Sequence, residues 1–345
     1  MKLRFRSQTA RINSTNYKHY KEIQMEEYIS NDQYVAVVGA ANIDIGGTPY
    51  KPLIPADSNP GDISINYGGV GRNIAHNLAK LGVPVKFISA IGGDVLGADM
   101  LSHCESIGID VSNVLHIPDR TSSMYLYINN TAGDMEMAID HMDLALMITP
   151  EYLDSVRSVI QGAAAVVADA NISADAFLHV KSLCRAPLYV DPVSTALASR
   201  IMPGLEGIDT LKPNRLEAEY LTGMTIQTEA DYRAAACALL DMGVRRVFLS
   251  MGDEGMLAAD KNNMYIVGGY SADVVCTTGA GDSATAAIVW ASTIVADRDT
   301  LVTAAKAANV VAAMTVSVQE TNNPDLSHNA ALEKMVSSNM TVRSI

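Results

Sequence analysis

Five apolar runs recur along the chain, each short and nearly free of charge: Tyr34-Val-Ala-Val-Val-Gly39, Val85-Lys-Phe-Ile-Ser89, Ala164-Ala-Val-Val-Ala168, Leu188-Tyr-Val-Asp191 and Val247-Phe-Leu-Ser250. Runs of this length without polar alternation fit strands buried on both faces. Helical patterns lie between them. Residues 73–81 set Ile74, Leu78 and Leu81 on one face, and Gly82 ends the pattern. Residues 230–242, 300–315 and the charge-free stretch 283–296 also read as helices. Strands alternating with helices predict an α/β fold: a doubly wound, mostly parallel sheet covered on both faces, with ligands at the carboxyl ends of its strands. Residues 44–67 and 121–140 break the rhythm. They alternate in short runs, with a turn at Asn130-Thr-Ala-Gly133, and are expected to form a small antiparallel β lid. One domain over 32–335 is expected, with an N-terminal extension at 1–31 and a C-terminal tail at 336–345.

Of the 345 residues 48% are hydrophobic and 18% charged, which is enough for one large α/β domain with an appendage. A net charge of −13 makes nucleic acid and anionic membrane poor partners, so any phosphate-handling site must be local. The four cysteines show no CxxC pair and the seven histidines no metal-ligand spacing, which argues against zinc and for a reducing compartment. The longest charge-free stretch, 283–296, is too short to span a bilayer. Residues 1–31 begin with six basic residues before the first acid, Glu22, and have no apolar h-region. That excludes a secretory signal and leaves a solvated extension or an organelle transit segment. A cytoplasmic protein is the expectation.

The most telling motif is Thr278-Gly-Ala-Gly-Asp282, which opens the helical stretch at 283. Small residues admit backbone amides close to a phosphate, a helix N-terminus adds partial positive charge, and a carboxylate there can accept a hydroxyl proton. A loop with an N-capping Asp is the plainer reading. Gly68-Gly-Val-Gly-Arg-Asn73 leads from a lid run into the first long helix. It is neither GxGxxG nor a P-loop, and the chain has no Gly-Lys dipeptide. Asp44, past the first strand, suits a polyol or forms an Asx turn. Asn214 and Glu217 share a helix face, either to organise a hydrated Mg²⁺ or as a capping box. Ser250-Met-Gly252 offers a hydroxyl and pliant backbone to a nucleotide.

Gly68-Gly-x-Gly-x-Asn73, Asn214-x-x-Glu217 and Thr278-Gly-Ala-Gly-Asp282, in that order and spacing, resemble the ribokinase (PfkB) family of carbohydrate and nucleoside kinases over roughly residues 34–327. Further stretches at 57–61, 168–173, 191–194, 211–219 and 321–327 carry a closer resemblance to one nucleoside-kinase branch; the last has no evident chemical reason in the sequence. The resemblance implies ATP-dependent phosphorylation of a sugar or nucleoside, with Asp282 as general base and Gly279, Ala280 and Gly281 as anion hole. It implies that Asp44, Gly69 and Asn73 bind ribose hydroxyls, and that Asn171 contacts substrate. Ser123, Thr121 and Ser122 are further substrate-contacting candidates, as polar residues at the lid. Asn214, Glu217, Ser250, Gly252, Thr278 and Asn309 fall at the ATP site, with Glu217 holding Mg²⁺ through water. A lid-mediated homodimer is also implied. Cys276 stands where many relatives have an Asp that helps bind a monovalent cation, and a thiol is a poor ligand for such an ion. A catalytically silent, ligand-sensing relative is the rival reading, and an intact Asp282 stands against it.

Overall fold

A computed structural model describes residues 33–294 and 300–345. The extension expected over 1–31 lies outside the described residues. The strands are β1 Val35–Val38, β2 Asn42–Pro49, β3 Gly61–Gly68, β4 Val85–Gly92, β5 Ile109–Ile117, β6 Met124–Asn129, β7 Met135–His141, β8 Ala165–Asp169, β9 Leu188–Asp191, β10 Thr210–Leu211, β11 Arg246–Ser250, β12 Met256–Asp260, β13 Met264–Val267 and β14 Val342–Ser344. The helices are α1 Val70–Lys80, α2 Val95–Ser106, α3 Pro150–Ser155, α4 Arg157–Gly162, α5 Ala174–Leu183, α6 Thr195–Ala198, α7 Arg215–Thr222, α8 Glu229–Asp241, α9 Ala280–Ile294, α10 Thr300–Val316 and α11 His328–Ser337.

Ten strands form the main sheet in the order β14-β13-β12-β11-β10-β9-β8-β1-β4-β5. The pairs from β5 through β11 are parallel, and β12, β13 and β14 add antiparallel pairs at one edge. Strand β1 explains the layering. Val35 and Val37 belong to one buried cluster, with Ile74, Leu78, Phe87 and Trp290. Ala36 and Val38 belong to the other, with Val166, Phe177, Val180 and Leu239. Alternate side chains of one apolar strand thus fill two cores, one on each face of the sheet.

The chain runs from β1 outward to β4 and β5, then returns to β8 on the other side of β1. Such a reversal leaves a crevice at the carboxyl ends of the strands where the two directions part. Gly39, Asp169, Asp191, Lys212 and Ser250 all stand at those ends.

Four shorter strands make the lid, in the order β3-β2-β6-β7. Its outer pairs, β2–β3 and β6–β7, are antiparallel as expected, but the central pair β2–β6 runs parallel, so the lid is a mixed sheet. Its two halves come from separate stretches of chain, and a direct hairpin joins strands only within each half. Residues 336–345, expected as a tail, instead supply β14, whose Arg343 pairs with Glu229 at 2.7 Å. The paired run is only three residues long, too short to give a strand signal in the sequence.

Helix α9 matters most for the site because Asp282 lies in its first turn. Its far end is fixed by Trp290, which is fully buried and donates from Nε1 to His328 Nδ1 of α11 at 3.2 Å. Trp290→Phe leaves the half-buried His328 Nδ1 without its donor and is expected to lower the unfolding free energy by about 1 kcal/mol. Urea denaturation followed by far-ultraviolet circular dichroism measures this. A change within error would show that the pair does not hold α9.

Candidate active site

Helix α1 begins at Val70, earlier than the apolar pattern suggested, with Gly69 as its N-cap at φ 94°. A Cβ on Gly69 would lie 2.4 Å from the Ala40 carbonyl oxygen, so only glycine brings this turn against the end of β1. Asn73 is thereby carried in the first turn of α1, where its Nδ2 donates to Asp282 Oδ2 at 2.7 Å. Helix α9 likewise begins at Ala280 and takes Asp282 into its first turn, so Asp282 is a helical residue rather than an N-cap. Gly279 precedes it at φ 81°, and a Cβ there would meet the Thr321 carbonyl oxygen at 2.1 Å. Two of the resemblance motifs, 209 residues apart, thus meet through one hydrogen bond.

A cleft of about 350 Å³ opens beside Asp282. Asp191, Lys212, Asn214, Glu217, Ser250 and Asn309 are among the residues lining it, together with Gly252, Ala280 and Gly281. An apolar cavity of about 740 Å³ shares Gly252, Ala280 and Asn309 with it and extends past Tyr270 and Val274. Asn309 forms the joint: its Nδ2 donates to the Val267 and Gly268 carbonyls at 3.1 and 3.0 Å.

The charges of the cleft are tightly coupled. Lys212, 5% exposed, lies 3.4 Å from Asp191 Oδ2, and a Cβ on Gly281 would come within 3.2 Å of its Nζ. Burial alone would lower the Lys212 pKa, but Asp191, Glu217 and Asp282 outweigh it and hold the ammonium above its ordinary value. Burial pushes Asp282 up to about 7; Asp191 and Asp169 add to the rise, while the Asn73 hydrogen bond and Lys212 oppose it. Asp169 is pushed up to about 6, mainly by burial, while accepting from the backbone N–H groups of Ala40 and Asn171 at 2.9 and 2.8 Å. Burial also raises Glu217, against Lys212.

The capping-box reading of Asn214 and Glu217 holds, and the same two residues line the cleft. Asn214 caps α7 and accepts from the Glu217 N–H at 3.0 Å, while Glu217 accepts from the Asn214 N–H and Nδ2 at 2.9 and 2.8 Å. The box that starts the helix also turns both side chains into the cleft wall.

Toward the lid, Asp44 accepts from Asn42 Nδ2 at 2.6 Å and is raised by burial against Asn42 and Arg72. The lid's register puts Asn66, Asp44, Tyr125 and Asp140 opposite one another across four strands. Tyr125 and Asp140 line a cavity of about 670 Å³ with Asn171 and Arg200. Val193 borders both this cavity and the Asp282 cleft. Its φ of 67° is strained for a β-branched residue, and its N–H is held by Asp191 Oδ1 at 2.9 Å.

Four candidates stand apart. Ser123 is buried at the root of the lid, its carbonyl accepting from the Ile43 N–H at 2.8 Å, and it does not line the Asn171 cavity. Ser122 is committed to Asp94, its Oγ lying 3.1 Å from Oδ1. Thr278 is exposed and Thr121 is exposed, and neither lines the cavities just described. Conversely, Asp169, Asp191, Lys212, Arg72 and Asn322 join the site without having been assigned a role from sequence. The available signal was position: Asp169, Asp191 and Lys212 each interrupt or follow an apolar strand run at its carboxyl end. The 321–327 stretch also acquires a reason. Thr321 packs on Gly279, Asn322 accepts from Arg72 at 2.8 Å, and Asn323 donates to the Met314 carbonyl at 2.5 Å.

The profile of the pfkB family of carbohydrate kinases matches residues 32–329. The chain belongs to that family. It is 38% identical over 301 residues to pseudouridine kinase of Escherichia coli K12, covering 85% of this chain and 94% of that protein. It is 31% identical over 260 residues to guanosine-inosine kinase of Exiguobacterium acetylicum, covering 74% and 86%. The fold matches that of ribokinase of Arabidopsis thaliana, solved with ribose and ATP, with a TM-score of 0.80 at 22% identity over 89% of this chain and 99% of the other. Kinase family and ribokinase-like fold therefore stand together, and among the described residues no helix is long and apolar enough to cross a membrane.

Gly279→Ala tests the seam between the family's Gly-Ala-Gly-Asp turn and Thr321. The strained φ alone costs on the order of 1–3 kcal/mol, before the overlap with Thr321 is relieved. Thermal unfolding is expected to show a clearly lowered midpoint; an unchanged one would mean that the turn shifts freely.

Proposed function

We propose that this kinase transfers the γ-phosphoryl group of ATP to the 5′-hydroxyl of pseudouridine, giving pseudouridine 5′-phosphate and ADP. The observation that carries the phosphoryl-transfer reading is Asp282: a carboxylate with its pKa near 7, at a helix N-terminus, beside a glycine turn and a buried ammonium. Asp282 takes the proton of the attacking hydroxyl. The amides of Gly279, Ala280 and Gly281 and the Lys212 ammonium face the charge that develops on the transferred group. Asn73 and Asp44 hold the ribose hydroxyls, and Asn171, with Tyr125 and Asp140, faces the base. Asn309, Ser250 and Gly252 bound the nucleotide, whose adenine fits the apolar cavity beyond Asn309.

The donor set fits Mg²⁺ carried on nucleotide phosphates. Among the described residues no cluster of three His, Cys, Asp or Glu side chains forms an all-protein cage, whereas Glu217 and Asp191 offer the one or two carboxylates that a hydrated Mg²⁺ requires. When bound, the ion neutralises phosphate charge. Glu217, fixed by Asn214, reaches its waters. Cys276 provides no hard oxygen ligand, so we propose weak dependence on monovalent cations.

Pseudouridine is favoured over guanosine or ribose by the 38% identity across nearly the whole length of the pseudouridine kinase. The outer lid face supports a homodimer of this kinase: Ile65, Ile45, Leu126 and Ile139 lie in one cross-strand row, with Ile139 70% exposed. Ile139→Glu is expected to give monomers by sedimentation; a wild-type monomer would remove the reading.

Because the carboxylate is the proton-accepting form, kcat/KM is expected to rise as pH climbs through about 7. Asp282→Asn should lower kcat by on the order of 10²–10⁴ while ATP still binds; a variant keeping a tenth of wild-type kcat would sink the base assignment. The substrate is tested by kcat/KM for pseudouridine against uridine, guanosine and ribose. Pseudouridine has a ring N–H that uridine lacks, and a site that bonds it discriminates by orders of magnitude. A preference for another member of the panel would move the protein within its family and leave the role of Asp282 intact.

A further inference from the structure

Arg72 sits inside the glycine turn motif, next to Asn73, and is 2% exposed. Acceptors surround its guanidinium. Nε donates to the Gly68 carbonyl at 3.3 Å, and Nη2 donates to the Tyr67 carbonyl, to Asn73 Oδ1, and to Asn322 Oδ1 at 2.8 Å. Nη1 lies 3.2 Å from His76 Nδ1. Burial, together with Arg72 itself, His103 and Lys80, lowers His76 to about 3, so its ring is neutral and presents Nδ1 as an acceptor. Asn322 closes the ring by donating from Nδ2 to the Asn73 carbonyl at 3.3 Å.

A carboxamide has one acceptor end and one donor end. The guanidinium occupies the Oδ1 end of Asn73, and only the Nδ2 end is left for Asp282, where it donates at 2.7 Å. The flipped amide would set its NH₂ against the guanidinium and its oxygen against a carboxylate, losing both bonds. A buried cation thus decides which end of Asn73 meets the base.

We propose that Arg72, anchored by Asn322, is a positioning residue for phosphoryl transfer: it fixes the Asn73 carboxamide with its donor end on Asp282 and so orients the carboxylate that takes the substrate's proton. The proposal rests on Asp282 being that base. Asp282 is faced by Asp191 from β9, Asp169 from β8, Lys212 after β10 and Asn73 from α1, with Arg72 behind Asn73. Removing Arg72 therefore acts on Asp282 in two ways, through the lost Asn73 orientation and through the lost charge, and a double-mutant cycle separates them.

The experiment measures kcat/KM against pH for Arg72→Gln, Asn73→Ala and the double variant, with the Kd for ATP as a control on the nucleotide half of the cleft. Each single variant is expected to move the acid limb up by about one pH unit, a tenfold change in the proton equilibrium. The double variant should move it by less than the sum of the two single shifts, and ATP affinity should stay within about threefold of wild type, well under 1.4 kcal/mol. An unmoved limb in Arg72→Gln, or shifts that add in the double variant, would overturn the proposal, the second by showing that Arg72 acts through its charge alone. If Arg72→Gln does not fold, Asn322→Ala keeps the charge and loosens the anchor. The limb should then move in the same direction, and a wild-type profile overturns the proposal. Activity surviving in Asp282→Asn would instead defeat the base assignment, a result read independently of this cycle.

Discussion

One buried ammonium is shared by three carboxylates, and the cleft is built around that imbalance. Lys212 faces Asp191, Glu217 and Asp282 from the end of a two-residue strand in the middle of a parallel sheet. A buried charge is tolerable only when paired. One cation cannot neutralise three anions and Asp169 besides, and this surplus adds to the burial that raises Asp169 to about 6 and Asp282 to about 7. A carboxyl group poised at physiological pH is the form of base that a hydroxyl nucleophile needs. The surplus of acids at the strand ends thus adds to burial in raising the group proposed as the base, and the surplus exists because a parallel sheet delivers all its carboxyl ends to one edge.

The lid obeys a simpler rule. Its side chains alternate, so one face carries Asn66, Asp44, Tyr125 and Asp140 and the other Ile65, Ile45, Leu126 and Ile139. A polar row and an apolar row are printed on the two sides of the same four strands, and a one-residue slip in register would exchange them. The parallel β2–β6 pair fixes that register between two stretches of chain that no hairpin joins.

Much of this was legible in the sequence. The apolar runs named the central strands, and the three motifs named Asn73, Asn214, Glu217 and Asp282, because glycine turns and caps are local and have local signatures. What was missed depends on distant neighbours. Asp169, Asp191 and Lys212 are ordinary strand-end residues until the sheet brings them together. Arg72 read as a spacer inside a glycine motif because its acceptors include Asn322. Asn322 and Asn323 had no reading at all, since a buried amide holding a backbone carbonyl leaves no periodic trace. The lid's parallel pair and the strand at 342–344 were lost for the same reason: pairing partners are not encoded within the strand that seeks them. Ser123 and Thr278 illustrate the converse, where proximity in sequence to a motif did not bring a side chain to a cavity wall.

The Arg72–Asn322 bond spans 250 residues. A chain is synthesised from its N-terminus at about 5–20 residues per second, so the glycine turn waits on the order of tens of seconds before its anchor leaves the ribosome. Through that interval the turn has its strand and its helix but not the amide that closes the ring around the guanidinium, and the Gly279 turn likewise lacks Thr321. The nascent protein can bury most of its core while the Asn73–Asp282 pair still lacks the ring behind it. That ring is therefore completed late in synthesis, by a short asparagine-bearing loop that follows the last large helix.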